Sequence, residues 1–290
     1  MRILMRVAVV LDLELVQSVH NAVEMSISRL ETRYALIVIS LYFFSVFLWG
    51  LRWAIASRIE IRPASLAYVL EGIFVGILVN NLINIYSVSG ELARIAWTSY
   101  RSGIETAKLA AGVAVERVSE LPVALVYTLL FVKAFQTHLA VSLYVVGVVR
   151  RACDYVYDTL QKAYEVLLNP KLVLTLCALS AALWIVDSVR LFFLAKFVGV
   201  SIDMSIAASL TLLGVASRLI SLTPGNIGVF EGTYILFLNV AGYNSDDALA
   251  LVLAERATAS IIPSLLGALF VFKEGGFTIL KKVVTTSRAD

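Results

Sequence analysis

The chain has 290 residues, 60% of them hydrophobic and 16% charged, with a net charge of +3 and a mean hydropathy of +0.87. A soluble domain holds roughly 45–50% apolar residues, so the composition excludes an ordinary water-soluble globule and implies a polytopic membrane protein. The small net charge offers no patch for nucleic acid.

Residues 1–33 come first. Arg2 and Arg6 precede the apolar run Val7–Leu11, but Asp12 and Glu14 cut it short, so the segment reads as cytoplasmic and amphipathic rather than as a cleavable signal. Eight apolar blocks follow: Tyr34–Leu51, Ala64–Val88, Leu121–Val132, Leu139–Val149, Leu172–Ala195, Met204–Leu222, Val229–Gly242 and Ala248–Phe272. A span needs about 20 residues at roughly 1.5 Å each. Tyr34–Leu51 reaches that length if Arg52 snorkels, and Leu121–Val132 does so if its helix starts near Glu116. Leu139–Val149 and Val229–Gly242 are short enough for re-entrant half-helices. The expected fold is an all-α membrane bundle of about eight spans. Its transmembrane domain covers 34–273 and a cytoplasmic tail covers 274–290. Arg150, Arg151, Lys162 and Lys171 place the loop between the fourth and fifth blocks inside, with both termini, whereas Arg52, Arg58 and Arg62 fall outside, against the usual bias.

Between the second and third blocks, Arg94, Thr98, Arg101, Glu105, Lys108 and Gly112 recur at steps of three and four. This predicts one helix with a polar stripe. Such a helix either lies along the headgroups or dips inward with its stripe toward a cavity.

Two polar signatures interrupt the apolar pattern. Ser89-Gly90-Glu91 is followed by Arg94 and later by Glu116-Arg117; Thr223-Pro224-Gly225-Asn226-Ile227-Gly228-Val229-Phe230-Glu231 is followed by Glu255-Arg256. An offset of 140 lays Glu91 on Glu231, and one of 139 lays Glu116-Arg117 on Glu255-Arg256. Lys133 and Lys273 close matching runs. Residues 64–133 and 204–273 therefore read as an internal duplication, either parallel or inverted. Carboxylates at membrane depth are costly, so their repetition marks one polar site built from two halves.

The Pro224–Gly228 stretch predicts a broken helix, because proline lacks an N–H and glycine tolerates positive φ. Glu231 then falls in the first turn of the next helix, where the dipole favours an anion. Asp187 and Arg190 lie three apart and offer each other mutual neutralisation. Arg218 has no acid nearby in sequence, so Glu231, Glu255 or an anionic headgroup is its natural partner. Asn80 and Asn84 share a face and line the same cavity or bond a neighbouring helix. His20 and His138 stand alone, and there is no HExxH, P-loop or GxSxG, so neither metal nor cofactor is expected.

Gly90-Glu91 with Arg94, then Glu116-Arg117, then Pro224-Gly225-x-x-Gly228-x-x-Glu231, then Arg256 resemble the signatures of the lysylphosphatidylglycerol synthase transmembrane family, also called flippase-like or UPF0104. The resemblance runs over roughly 34–273. It departs at Tyr86, where the family usually has a proline, and at Glu120, the nearest acid to the family's aspartate. The resemblance implies a multi-spanning domain that handles lipid. Two-part relatives move aminoacylated phospholipid between leaflets and carry a further soluble transfer domain; other members stand alone or are fused to glycosyltransferases. The expectation is a non-enzymatic lipid translocator whose substrate is an anionic or aminoacylated phospholipid or a glycolipid. Its substrate site would use Gly90, Glu91, Arg94, Glu116, Arg117, Arg218, Pro224, Gly225, Gly228, Glu231, Glu255 and Arg256. A proton-coupled transporter of a small polar solute and a non-transporting partner of a lipid-modifying enzyme or glycosyltransferase remain alternatives.

Overall fold

The computed structural model describes residues 31–83, 88–134, 169–220 and 223–275. The N-terminal segment to residue 30, the block Leu139–Val149, the basic 150–168 stretch, Tyr86, Asn84 and the tail from 276 lie outside the described residues. Among the described residues all regular structure is helical. The helices are α1 Ala35–Ala56, α2 Pro63–Leu82, α3 Val88–Ser102, α4 Thr106–Ala134, α5 Pro170–Phe197, α6 Met204–Ile220, α7 Val229–Val240, α8 Ser245–Arg256 and α9 Ile262–Lys273. A five-residue π turn, Ala257–Ile261, joins α8 to α9.

The segments Thr32–Ala56, Pro63–Leu82, Pro170–Phe197 and Ser245–Lys273 are each long and apolar enough to cross a bilayer. α4 is 29 residues long but carries Glu116, Arg117 and Glu120 in its middle, which dilutes its hydropathy. α3 and α7, with 15 and 12 residues, reach only about 22 and 18 Å, short of the roughly 30 Å of hydrocarbon. The outer surface is apolar and the centre is charged, the reverse of a soluble protein. Leu36, Leu174 and Phe272 are more than 70% exposed, while Arg52, Arg94, Arg190, Glu116 and Glu255 are each below 5%. Lipid is the solvent that tolerates this arrangement. The protein is a multi-pass membrane protein.

The polar stripe of 94–112 is not one helix. Gly103 takes φ +71° and ends α3, so Glu105 and Lys108 leave the stripe and are exposed on the way into α4. Within α3 the stripe is turned inward: Arg94 and Thr98 are buried while Leu92 and Tyr100 are exposed. Of the two readings, the stripe on α3 faces the cavity and not the headgroups. Tight packing on α2 fixes this rotation. A Cβ on Gly90 would lie 2.7 Å from the Gly76 carbonyl oxygen, and one on Gly76 would lie 2.7 Å from that of Gly90. Gly90 thus serves close helix approach, not a bend.

The internal duplication extends further upstream than the sequence pattern shows. α1–α2–α3–α4 correspond in order to α5–α6–α7–(α8+α9), and the fourth elements, Thr106–Ala134 and Ser245–Lys273, coincide end to end at an offset of 139. Contacts between the two first helices give the relation of the halves. Ser45 donates to Asp187 at 2.9 Å, and Arg52 donates to Ser180 at 2.9 Å. Seven residues forward on α1 match seven residues back on α5. Glu31, before α1, donates its N–H to Phe197 at the end of α5 at 3.0 Å, and Ala56 packs with Leu176 near the start of α5. Equivalent helices run antiparallel, so the repeats are inverted.

The halves also exchange their last elements. Tyr127 and Phe131 at the end of α4 join the apolar cluster of α5–α8, whereas Leu266 and Phe270 of α9 join that of α1–α4. Phe131 meets Phe237 at 5.8 Å between ring centroids, and Phe270, its counterpart 139 residues on, meets Phe74 at 6.2 Å. This swap locks the halves around a shared centre.

Candidate functional site

The second signature folds as its residue types require. Pro224–Asn226 form one 3-10 turn in which Gly225 has φ +60° and Asn226 φ +61°, and Gly228 follows at +85°. Glu231 sits in the first turn of α7. Its carboxylate accepts from the Gly228 N–H at 2.7 Å and from Arg256 Nε at 2.6 Å. Arg256 gives its other two nitrogens to the carbonyls of Gly225 and Asn226, at 2.6 and 2.9 Å, and stacks 4.6 Å from the Phe230 ring. The guanidinium staples the broken turn to α8. Gly225 comes close to α2, where a Cβ would lie 3.3 Å from the Asn81 carbonyl oxygen. Pro224 and Gly228 shape this turn without entering the cavity.

The first half repeats the pairing. Arg117 on α4 bonds Glu91 on α3 and also Glu120 at 3.1 Å. Behind each pair lies a second, deeper one. In the second half Arg190 holds Glu255 with two bonds of 2.6 and 2.8 Å, with Asp187 at 3.4 Å from its Nε. In the first half Arg52 reaches Glu116 at 3.3 Å and Glu120 at 2.6 Å, and Arg94 reaches Glu116 at 2.8 Å. Arg52 and Arg190 are counterparts 138 residues apart on α1 and α5.

Two sequence expectations change here. Arg52 does not snorkel to the outside; it is 2% exposed and bound to two carboxylates and Ser180. Arg190 is not neutralised chiefly by Asp187, since Glu255 holds it bidentately. Glu231 is held by Arg256 and Glu255 by Arg190, and Arg218 lines the same cavity. Arg52, Glu120 and Arg190 belong to the constellation but were absent from the predicted site. Carrying the repeat one helix upstream with the offset shortened to 138 matches Arg52 to Arg190.

One cavity of about 240 Å³ gathers both halves. Of the predicted residues, Gly90, Glu91, Arg94, Arg117, Arg218, Gly225, Glu255 and Arg256 line it, together with Arg52, Glu120, Asp187, Arg190 and Asn226. Glu116 and Glu231 stand one layer behind, against their arginines. Counting that layer, six arginines (52, 94, 117, 190, 218 and 256) face six carboxylates (91, 116, 120, 187, 231 and 255), a balanced set. Binding pockets for drug-sized molecules run to roughly 300–1,000 Å³, so this volume suits a polar headgroup and not a whole lipid.

Not every buried polar atom is satisfied. Arg94 Nε and Nη1, and Asn226 Oδ1, have no hydrogen-bond partner among the described residues. Each such buried atom costs about 1–3 kcal/mol when left unmet.

The profile of the lysylphosphatidylglycerol synthase TM region matches residues 5–153 and 147–267. The chain belongs to this family. It is 23% identical over 295 aligned positions to a UPF0104 membrane protein of Pyrococcus horikoshii, covering 84% of this chain and 88% of that one. It is 22% identical to a UPF0104 membrane protein of Methanothermobacter thermautotrophicus, covering 84% and 86%. No solved structure matches. Family membership makes a membrane role connected with lipid plausible for this chain, and the paired Glu-Arg signatures are where its own residues converge.

Proposed function

We propose that the protein is a non-enzymatic lipid translocator, passing a polar headgroup between leaflets through the charged cavity while the acyl or alkyl chains stay in the bilayer. The observation that carries this reading is a headgroup-sized cavity lined by ion pairs from two inverted halves. Inverted repeats that meet around a midplane site are the architecture from which one half can rock against the other and open the site to either side. Broken backbone at that depth is tolerated where it borders such a cavity, as at Pro224–Gly228. A headgroup of both signs, or a phosphate, exchanges with the internal pairs: arginines released from carboxylates bind phosphate, and released carboxylates bind an ammonium. Because every carboxylate named above that faces an arginine is already compensated, lipid exchange fits the site better than proton coupling.

The test is headgroup-labelled lipid crossing in proteoliposomes. Glu231→Gln removes the anion between Gly228 and Arg256, and Gly225→Val places a branched side chain at φ +60° against Asn81. Both variants are expected to slow crossing at least tenfold. Wild-type rates in both would falsify the role of this turn.

A further inference from the structure

The two halves are not equal. At the repeat offset of 140, Arg94 corresponds to Tyr234, whose hydroxyl is satisfied by the Leu210 carbonyl at 2.8 Å. Arg94 is 2% exposed and spends one nitrogen, Nη2, on Glu116. Its guanidinium lies 4.5 Å from the Trp53 ring centroid and 5.2 Å from that of Trp49. The indole faces stabilise the charge but present no lone pair to in-plane N–H groups. Nε and Nη1 are left as unmet donors on a residue that lines the cavity.

Across the same cavity stands an unmet acceptor. Ser217 Oγ gives its proton to the Gly214 carbonyl at 3.0 Å, so it must accept from Asn226 Nδ2 at 3.1 Å. That fixes which way the amide points and leaves Oδ1 buried without a donor. Both residues line that one cavity. Arg94 packs on Gly76 and the Gly225–Asn226 turn packs on Asn81, five residues or about 7.5 Å apart along α2.

We propose that Arg94 and Asn226 form a two-point subsite: Arg94 Nε and Nη1 take an anionic oxygen of a phosphodiester, and Asn226 Oδ1 accepts from a hydroxyl or ammonium on the same molecule. This rests on the lipid-transport reading and names the headgroup chemistry: a phosphodiester whose own headgroup carries a hydrogen-bond donor. The asymmetry with Tyr234 confines the anion point to the first half.

The test uses the full chain in detergent, with indole fluorescence reporting from Trp49 and Trp53 beside Arg94. Three dioctanoyl probes are titrated: phosphatidylglycerol and phosphatidylethanolamine, which carry a donor, and phosphatidylmethanol, which does not. Wild type is expected to bind the first two roughly 3–10-fold more tightly than the third, the worth of one hydrogen bond. Asn226→Gly tolerates φ +61° and keeps the backbone carbonyl that Arg256 uses; it should erase that preference while leaving phosphatidylmethanol affinity unchanged. Arg94→Lys keeps the charge but loses the planar fork, and should weaken all three roughly tenfold. Wild type that does not distinguish the probes, or Asn226→Gly that keeps the preference, overturns the subsite. Glycerol 1-phosphate added as competitor separates the sources. Displacement at equal concentration assigns the site to a soluble organophosphate and overturns the lipid assignment; no displacement supports it. The crossing assay separates the two readings. Selective binding without crossing removes the transport function and leaves the subsite standing. Crossing with unchanged headgroup preference in both variants removes the subsite and leaves transport standing.

Discussion

The Arg190–Glu255 pair allows a quantitative prediction. Both side chains are at most 5% exposed, and two bonds of 2.6 and 2.8 Å join them. Glu255→Gln leaves a buried guanidinium without its bidentate partner, a change that costs about 3–5 kcal/mol. Asp187, 3.4 Å from Arg190 Nε, remains and holds the loss near the lower end, at about 3 kcal/mol. At roughly 2–4 °C per kcal/mol for a chain of this size, the melting midpoint should fall by about 6–12 °C. The paired change Arg190→Met with Glu255→Met removes both charges together, and buried pairs replaced by apolar groups of similar volume are often neutral or stabilising. The double variant should therefore recover most of the lost midpoint. Thermal unfolding of detergent-purified protein, followed by helical circular dichroism, measures both. A single variant as stable as wild type, or a double variant no better than the single, would refute the claim that these charges depend on each other. If the pair also serves the cavity, the recovered double variant should fold but fail to move lipid.

Other predictions follow from packing and topology. Gly90→Ala places a Cβ 2.7 Å from the Gly76 carbonyl oxygen, and overpacking against backbone should cost about 1–3 kcal/mol, read as a lower midpoint; Gly232→Ala, whose Cβ meets nothing within 4 Å, should match wild type. Gly267→Ala drives a Cβ onto the Phe74 carbonyl and should loosen α9 from α2, seen as faster proteolysis or hydrogen exchange in both helices. Ser45→Cys with Asp187→Cys, in a chain lacking Cys153 and Cys177, should form an oxidative cross-link, because these side chains touch at 2.9 Å where α1 and α5 cross. A control pair at Ser45 and Ser180, a position that belongs with Arg52 instead, should stay uncross-linked; the opposite result would mean that the halves are not antiparallel.

What the sequence determines here is set by local physics. Apolar runs of span length mark α1, α2, α5, α6 and the α8–α9 segment, because hydrocarbon selects residues one at a time along a helix. Pro224, Gly225 and Gly228 mark the broken turn, because their backbone limits are intrinsic. The nearly equal spacing of Glu91 to Glu116-Arg117 (25) and of Glu231 to Glu255-Arg256 (24) marks a duplication and, through it, two Glu-Arg pairs. Other features depended on contacts distant in sequence. Arg52 reads as a snorkelling residue because its partners Glu116 and Glu120 lie 64 and 68 positions away. The stripe on α3 has the same period whether it faces water or protein; the Gly76–Gly90 contact decided its direction. Sequence similarity cannot show that two halves are inverted, since both read in the same chain direction and only the number of crossings between them decides whether one is turned over. That was settled only when α1 and α5 packed antiparallel, bringing charges from opposite ends of the chain into one low-dielectric centre where each must find its counter-charge.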